Sequence, residues 1–161
     1  MPVVYRASLE ICKRHADRLA WAISQLAYKF PLSAEAIRTL SDTELAVLDQ
    51  FSTRFAKLQD AMGAKLFPAI LELTKEQGYY PAFLDKLNRL EKIGAIASAD
   101  KWLILREMRN EFSHDYPDDP ELQAATLNKA YTLASDLLGV LNGVEAFASH
   151  YEHVGNMHEI T

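Results

Sequence analysis

The segment from Arg106 to Pro117 concentrates the side chains that could carry out chemistry. It contains Arg109, Asn110, His114 and Tyr116. An arginine fork can bind two phosphate oxygens and can neutralise the charge that develops in a transition state. Histidine titrates near neutral pH and can act as a general base or a general acid. These residue types suit the cleavage of a phosphodiester.

The position of Arg109 allows two interpretations. It lies on the apolar stripe of a predicted helix, three residues before Phe112. A guanidinium on a packed surface costs free energy unless it meets a carboxylate or faces a polar cleft. Residue chemistry alone favours pairing with Glu107, Glu111 or a carboxylate on another helix, with His114 only capping a helix end, because structural ion pairs are common.

The catalytic interpretation has a geometric requirement. On an ideal helix, Arg109 and His114 would point about 140° apart. Either the helix end frays before Pro117 or a second copy of the chain completes the site. Asn110 and His114 are four residues apart and can touch on one helical face.

Apolar periodicity predicts that these residues lie on helices. The first stripe runs from Leu9 to Phe30 in steps of three and four residues, as in a long packed helix, and Pro31 ends it. Ser41 and Glu44 have the spacing of a capping box and predict the start of a second helix.

Turn and cap residues divide the rest of the chain. Pro68 predicts a kink or restart, and Gly78 is the expected C-cap of that helix. Three further helices are expected to begin near Pro81, Ser98 and Asp119. The first is expected to end at its C-cap Gly94 and the second before Pro117. The third has an apolar stripe of seven residues: Ala130, Leu133, Leu137, Val140, Val144, Phe147 and Tyr151. Without a strand pattern, a repeat or a linker, residues 1–161 are predicted to be one all-α domain, an antiparallel bundle of four to six helices.

The last predicted helix carries small residues at every fourth position: Ser135, Gly139 and Gly143. Two glycines inside a helix cost about 2 kcal/mol relative to alanine. Close approach of another helix backbone would repay this cost, either inside the bundle or across a dimer interface.

The charge balance limits the classes of partner. The net charge is −5, but residues 1–116 hold 15 acids and 16 bases, because seven of the 22 acids and one of the 17 bases follow residue 116. This balance argues against nonspecific coating of nucleic acid, while a local basic cleft is compatible with it. A single cysteine, no apolar run of about twenty residues and no secretory signal favour a cytoplasmic protein without membrane spans.

Other candidate sites are expected to be structural. His150, His153 and His158 cluster near the C-terminus, but no carboxylate-rich shell accompanies them, so a polar terminus is favoured over a metal site. Cys12 lies on the first apolar stripe, where a buried, inert thiol is expected. No metal or cofactor is predicted.

The motif resembles a known signature. Arg109-Asn110-x-x-x-His114-x-Tyr116 is similar to the R-x4-H-x-Y motif of the HEPN superfamily, and in particular of its HepT toxin branch, in which Asn often follows the Arg. A second segment resembles the second helix of HepT-like proteins, and residues from about 5 to 150 fit their all-α bundle. That segment is Arg54-Phe55-x-x-Leu58-Gln59-Asp60, followed by Lys65-Leu66-Phe67-Pro68.

The resemblance implies a metal-independent endoribonuclease toxin. HEPN ribonucleases are homodimers with a composite cleft, and they cleave RNA through attack of the ribose 2′-hydroxyl on the adjacent phosphate. By resemblance, Arg109 would stabilise the developing charge and His114 would move protons. Asn110 would orient one of these two side chains. In the HepT branch, a minimal nucleotidyltransferase antitoxin neutralises the toxin by contact and by adenylylating the motif tyrosine, which corresponds to Tyr116.

The resemblance also leaves an alternative from another class. Some related proteins are described as nucleotidyltransferase substrate-binding proteins. The chain would then be a non-catalytic subunit that recruits a nucleotidyltransferase or is modified by it. The complete set of Arg109, His114 and Tyr116 favours the enzyme, whereas the net charge of −5 favours the binding subunit.

Overall fold

The computed structural model describes residues 3–76, 78–113 and 119–159, with side chains as far as residue 155. No β-strand occurs in these ranges, and the prediction of an all-α helical bundle is confirmed. None of the described helices is long and apolar enough to cross a membrane. The helices are α1 (Val3–Leu26), α2 (Ala34–Arg38), α3 (Asp42–Ala61), a π-helical turn (Met62–Leu66), α4 (Phe67–Leu73), α5 (Phe83–Ile93), α6 (Ala99–Glu111) and α7 (Pro120–Glu159).

The centre of the bundle is the packing of α1 against α3. The buried face of α1 includes Tyr5, Cys12 and Leu19, and it is rotated slightly from the predicted stripe, because Leu9 and Ile23 are only partly buried. The predicted face of the second helix is confirmed, since all its members are buried: Leu48, Phe51, Phe55, Leu58 and Met62.

The chain from α3 to α4 is one continuous rod with a widened turn in its middle. Its start has the predicted capping box: the Glu44 N–H donates to Ser41 Oγ over 3.1 Å, and the Ser41 N–H donates to Glu44 Oε1 over 3.0 Å. At the π turn, the Phe67 N–H donates to the carbonyl of Met62, five residues back. The helix therefore passes Pro68, which has no N–H to donate, by a local widening rather than a break.

Two further predicted caps are confirmed, and two predicted helix ends are wrong. Helix α1 ends at Leu26, before Phe30 and Pro31, where its end was predicted. Gly94 is the C-cap of α5 with φ 87°, and the hydroxyl of Ser98 accepts from the Lys101 N–H at the start of α6. The prediction that Gly78 caps the preceding helix is wrong. Helix α4 ends at Leu73, and the chain then turns through Lys75, which has φ 58°.

Helix α7 buries a narrower and more alanine-rich face than its sequence stripe predicts. Ala130, Leu137 and Val144 are buried as expected. The remaining core positions are Ala124, Ala134, Leu141 and Ala148. The other predicted stripe members are half-buried (Leu133, Val140 and Phe147) or exposed (Tyr151).

Gly139 and Gly143, the glycines of the small-residue series in α7, face away from the bundle. A Cβ added at Gly139 or Gly143 would meet no described atom within 4 Å. The interpretation that another helix of the same bundle approaches closely at these positions is therefore wrong. Packing against a second chain stays a prediction.

The capping box generates a pH-dependent prediction. The Ser41 backbone N–H, then Lys29 and Tyr28, hold the pKa of Glu44 down to about 2, from an ordinary value of 4.5. A depressed folded-state pKa contributes stability above the unfolded value, and this contribution is lost as the pH falls through the folded value. Glu44→Gln should therefore lower the urea midpoint at pH 7, and its difference from wild type should shrink between pH 4.5 and pH 2.

Glu35→Gln is the matched control, because Glu35 is exposed and lies 3.7 Å from Arg38. It should change the midpoint little at either pH. A deficit of Glu44→Gln that is the same at pH 7 and pH 2 would contradict the assignment.

Candidate functional site

Helix α6 lies antiparallel to the α3–α4 rod, fixed by aromatic contacts near both of its ends. The Trp102 ring lies 4.5 Å from that of Phe67, and Phe112 meets Phe55 edge-to-face with ring centroids 5.3 Å apart. Trp102 and Phe55 are fully buried. This packing brings the last turn of α6 against the C-terminal part of α3.

The last turn of α6 places Arg109 on a carboxylate of α3. Its Nε donates to Asp60 Oδ1 over 2.7 Å, and its Nη2 donates to Oδ2 over 2.8 Å. This bidentate hydrogen bonding raises the pKa of the Arg109 guanidinium further above neutrality. The expectation that Arg109 pairs with a carboxylate on another helix is confirmed. Glu111, one of the other candidates, instead accepts from Lys129.

The ion pair corrects an energetic argument from the sequence. The charge of Arg109 on an apolar stripe would have supported a homodimer only if its own bundle offered no carboxylate. Asp60 compensates it within one chain, and the two side chains are 31% and 48% exposed respectively. The homodimer therefore loses this electrostatic support and rests on the resemblance.

Pairing with Asp60 does not exhaust the guanidinium. A guanidinium carries five N–H donors in a planar fork, and the two hydrogen bonds to Asp60 use the edge formed by Nε and Nη2. The edge formed by Nη1 and the second hydrogen of Nη2 can still donate to two oxygens of a phosphate. Asp60 thus fixes the plane of the guanidinium and leaves one bidentate edge for a ligand.

A groove of about 380 Å³ lies beside this pair. Its walls are Gln59, Asp60, Gly63, Ala64, Phe83 and Arg106. The guanidinium carbon of Arg106 lies 5.3 Å from the centre of the Phe83 ring, a cation–π contact. The small residues of the π turn leave space for the groove, and π turns occur frequently at functional sites.

The other motif residues are placed only in part. Asn110 is exposed on the last turn of α6, next to Arg109, and its carbonyl accepts from the Ser113 hydroxyl over 2.7 Å. His114 and Tyr116, predicted as proton carrier and adenylylation acceptor, lie outside the described residues. Of the predicted site residues, the described ranges therefore include Arg109 and Asn110.

The remaining candidates behave as structural residues. Burial raises the pKa of the Cys12 thiol to about 12, as expected for an inert core cysteine. His150 and His153 are exposed on α7, whereas His158 has no described side chain. Across the described residues, no group of three or more potential metal ligands occurs.

Asp60 is the site residue to which the sequence analysis gave no role. It occurs in the segment that resembles the second helix of HepT-like proteins, but it is 49 residues from Arg109. Periodicity places Asp60 on the edge of α3, yet only the packing of α6 shows which cation it meets.

Comparisons with protein-family models, curated proteins and solved structures found no match.

The ion pair predicts a measurable coupling between α3 and α6. In a double-mutant cycle of Asp60→Asn and Arg109→Gln, urea unfolding should give a coupling energy of about 1 kcal/mol or less, because partly exposed pairs are screened by water. The matched control is Lys13 with Glu145, which form a single contact of 3.0 Å and are 51% and 33% exposed. Its coupling should be smaller, and additive effects of the Asp60 and Arg109 substitutions would contradict the bidentate pair.

Proposed function

We propose that the protein is a metal-independent endoribonuclease of the HepT type, a toxin that a cognate nucleotidyltransferase neutralises. The observation that carries the proposal is the guanidinium of Arg109, held in a fixed plane by Asp60 beside a groove, five residues before His114. The motif in which these residues occur resembles the R-x4-H-x-Y signature.

The reaction needs no group beyond side chains and RNA. The ribose 2′-oxygen attacks the adjacent phosphorus, a new P–O2′ bond forms and the P–O5′ bond breaks. His114 takes the 2′-hydroxyl proton, and its imidazolium form, or that of the second chain's His114, delivers a proton to the departing 5′-oxygen. The free edge of Arg109 donates to the non-bridging oxygens, whose negative charge grows in the transition state. The products are a 2′,3′-cyclic phosphate and a 5′-hydroxyl.

The role of Asp60 in this scheme is to position Arg109. Rotation of a flexible arginine side chain is restricted when two of its donors are bound, so less entropy is lost when phosphate binds. Asn110 is one residue further along α6 and is exposed to the same solvent-facing region. It is suited to orient the phosphate or His114.

Homodimerisation is part of the proposal. In a symmetric dimer one motif from each chain would line the same cleft, so that the number of arginines facing RNA doubles. The uncovered glycines of α7, Gly139 and Gly143, are compatible with a second chain at that helix. The expectation of a dimer comes from the resemblance, and the exposed glycines of α7 are compatible with it.

One observation favours the non-catalytic alternative. The positive charge of Arg109 is compensated by Asp60, and a neutral pair attracts a phosphate less than a free guanidinium does. In a nucleotidyltransferase-binding subunit, the same pair would only hold α6 on α3. The two functions differ in whether the isolated protein cleaves RNA.

Substitution of Arg109 or of His114 tests the proposed ribonuclease activity. Arg109→Ala and His114→Ala should each abolish RNA cleavage by the purified protein, in the presence of EDTA, while helicity is kept. The substitutions remove transition-state charge stabilisation and proton transfer respectively. Cleavage is followed by gel electrophoresis of total RNA, and folding by circular dichroism.

Arg38→Ala and His153→Ala are matched controls, because both residues are exposed and lie on other helices. Both should retain full activity. Undiminished cleavage by His114→Ala would contradict the assignment. Loss of helicity in both motif variants would support the structural interpretation.

The tyrosine generates a separate prediction. Co-expression with the cognate nucleotidyltransferase should add AMP to Tyr116, as mass spectrometry of tryptic peptides would detect. The added phosphate would bring negative charge next to the arginines and would compete with RNA for them. Tyr79 and Tyr28, which are 90% and 72% exposed, serve as internal controls for labelling by accessibility alone. Modification confined to those tyrosines would contradict the role of Tyr116.

A further inference from the structure

A second cationic site lies where α3 packs on α1, on a different face of α3 from the one that carries Asp60 and meets Arg109. The Nη1 of Arg54 lies 2.9 Å from Nδ1 of His15. Arginine can only donate, so this contact requires Nδ1 of His15 to accept and its proton to reside on Nε2. His15 is therefore a neutral imidazole that presents its Nε2–H beside a guanidinium.

The charge at this site has no internal compensation. The Nε of Arg54 is buried and has no hydrogen-bond partner. Within the described part of the chain no carboxylate forms an ion pair with Arg54, whereas Arg38, Arg89 and Arg109 each have one. An unsatisfied buried donor destabilises the fold, and does so more when it is charged.

The surrounding groups add to the positive potential. Burial, and after it four cations, lower the pKa of His15 from its ordinary value of 6.5. The cations are Arg54, Lys57, Arg14 and Lys65. We call these four residues and His15 the basic cluster. Four cations act on one imidazole, and no carboxylate is among the charges that shift it, which favours an external ligand with more than one negative oxygen. A phosphate group meets this requirement, and a guanidinium fork matches its geometry.

The basic cluster is continuous with the candidate site along α3. Arg54, Lys57 and Asp60 follow each other at intervals of three residues, each turned about 60° from the last. Arg54 and Asp60 are separated by about 9 Å along the helix axis. Since Asp60 compensates Arg109, the attraction that brings a polyanion to the groove must come from neighbouring cations.

We propose that Arg54, His15 and Lys57 bind a phosphate group, and that this group belongs to the backbone of the RNA strand of which another phosphate reaches Arg109. The source of the phosphate rests on the proposed function. The phosphate site itself rests on the uncompensated guanidinium and the cations around it.

Two measurements on the full-length protein test the site. The first follows the His15 ring signals by NMR across a pH titration, with and without pyrophosphate. A bound anion favours the imidazolium form, so pyrophosphate should raise the pKa of His15, and Arg54→Gln should remove this response. The second measures binding of a 2′-O-methyl RNA oligonucleotide, which cannot be cleaved, by fluorescence anisotropy over a range of salt concentrations.

Arg54→Gln and Lys57→Gln should each weaken RNA binding about tenfold and lower the slope of log K against log salt by about 0.7. Lys57 is exposed, so its variant remains informative should Arg54→Gln unfold. Arg38→Gln is the matched control, because Arg38 is an exposed cation on α2, a helix that packs on α7. It should bind like wild type.

The outcomes separate the two proposals. A protein that cleaves no RNA but shows the pyrophosphate response would refute the ribonuclease and support the phosphate site. A pyrophosphate response with unchanged RNA binding in both variants would support the site and overturn RNA as its source. The proposal would be overturned if His15 responded to neither pyrophosphate nor RNA and both variants bound RNA as well as Arg38→Gln does. Binding of an acidic peptide, without binding of pyrophosphate or RNA, would also overturn it.

Discussion

The bidentate pair between Asp60 and Arg109 is the interaction on which the candidate site depends. An arginine on the packed face of α6 is tolerated because a carboxylate on α3 meets it with two hydrogen bonds of 2.7 and 2.8 Å. The aromatic contacts on either side, Phe112 with Phe55 and Trp102 with Phe67, fix the register in which the pair forms. The same contact that compensates the partly exposed charge also orients the guanidinium, so the pairing of α6 with α3 and the placement of the site have one physical cause.

The compensation has an electrostatic consequence. A pair with no net charge orients a phosphate through its free donor edge but contributes little long-range attraction to a polyanion. The chain, at −5 overall, needs a local concentration of cations to hold RNA. The basic cluster on α1 and α3, with Arg106 on the groove, is where the described residues place such charge. In the proposed function, positioning by a neutral pair and attraction by a separate cluster would divide the two tasks between neighbouring faces of α3.

Local signals in the sequence predicted much of the fold. The capping box at Ser41, the glycine cap at Gly94 and the cap at Ser98 are contacts between residues a few positions apart, and all three are present. The errors arise where tertiary packing decides. A turn through Lys75 ends α4 before Gly78 is reached. The sequence predicted that Arg109 could pair with a carboxylate on another helix. It did not identify Asp60, because that residue is 49 positions away and only the packing of α6 brings the two together.

The chemistry of the RNA ends tests the central claim most directly. RNA cleaved by the purified wild-type protein in EDTA should carry 2′,3′-cyclic phosphates and 5′-hydroxyls, because attack by the ribose oxygen needs only an arginine and a proton carrier. The 5′ ends should accept phosphate from polynucleotide kinase without prior dephosphorylation. Products with 5′-phosphates, or cleavage that EDTA abolishes, would contradict the account.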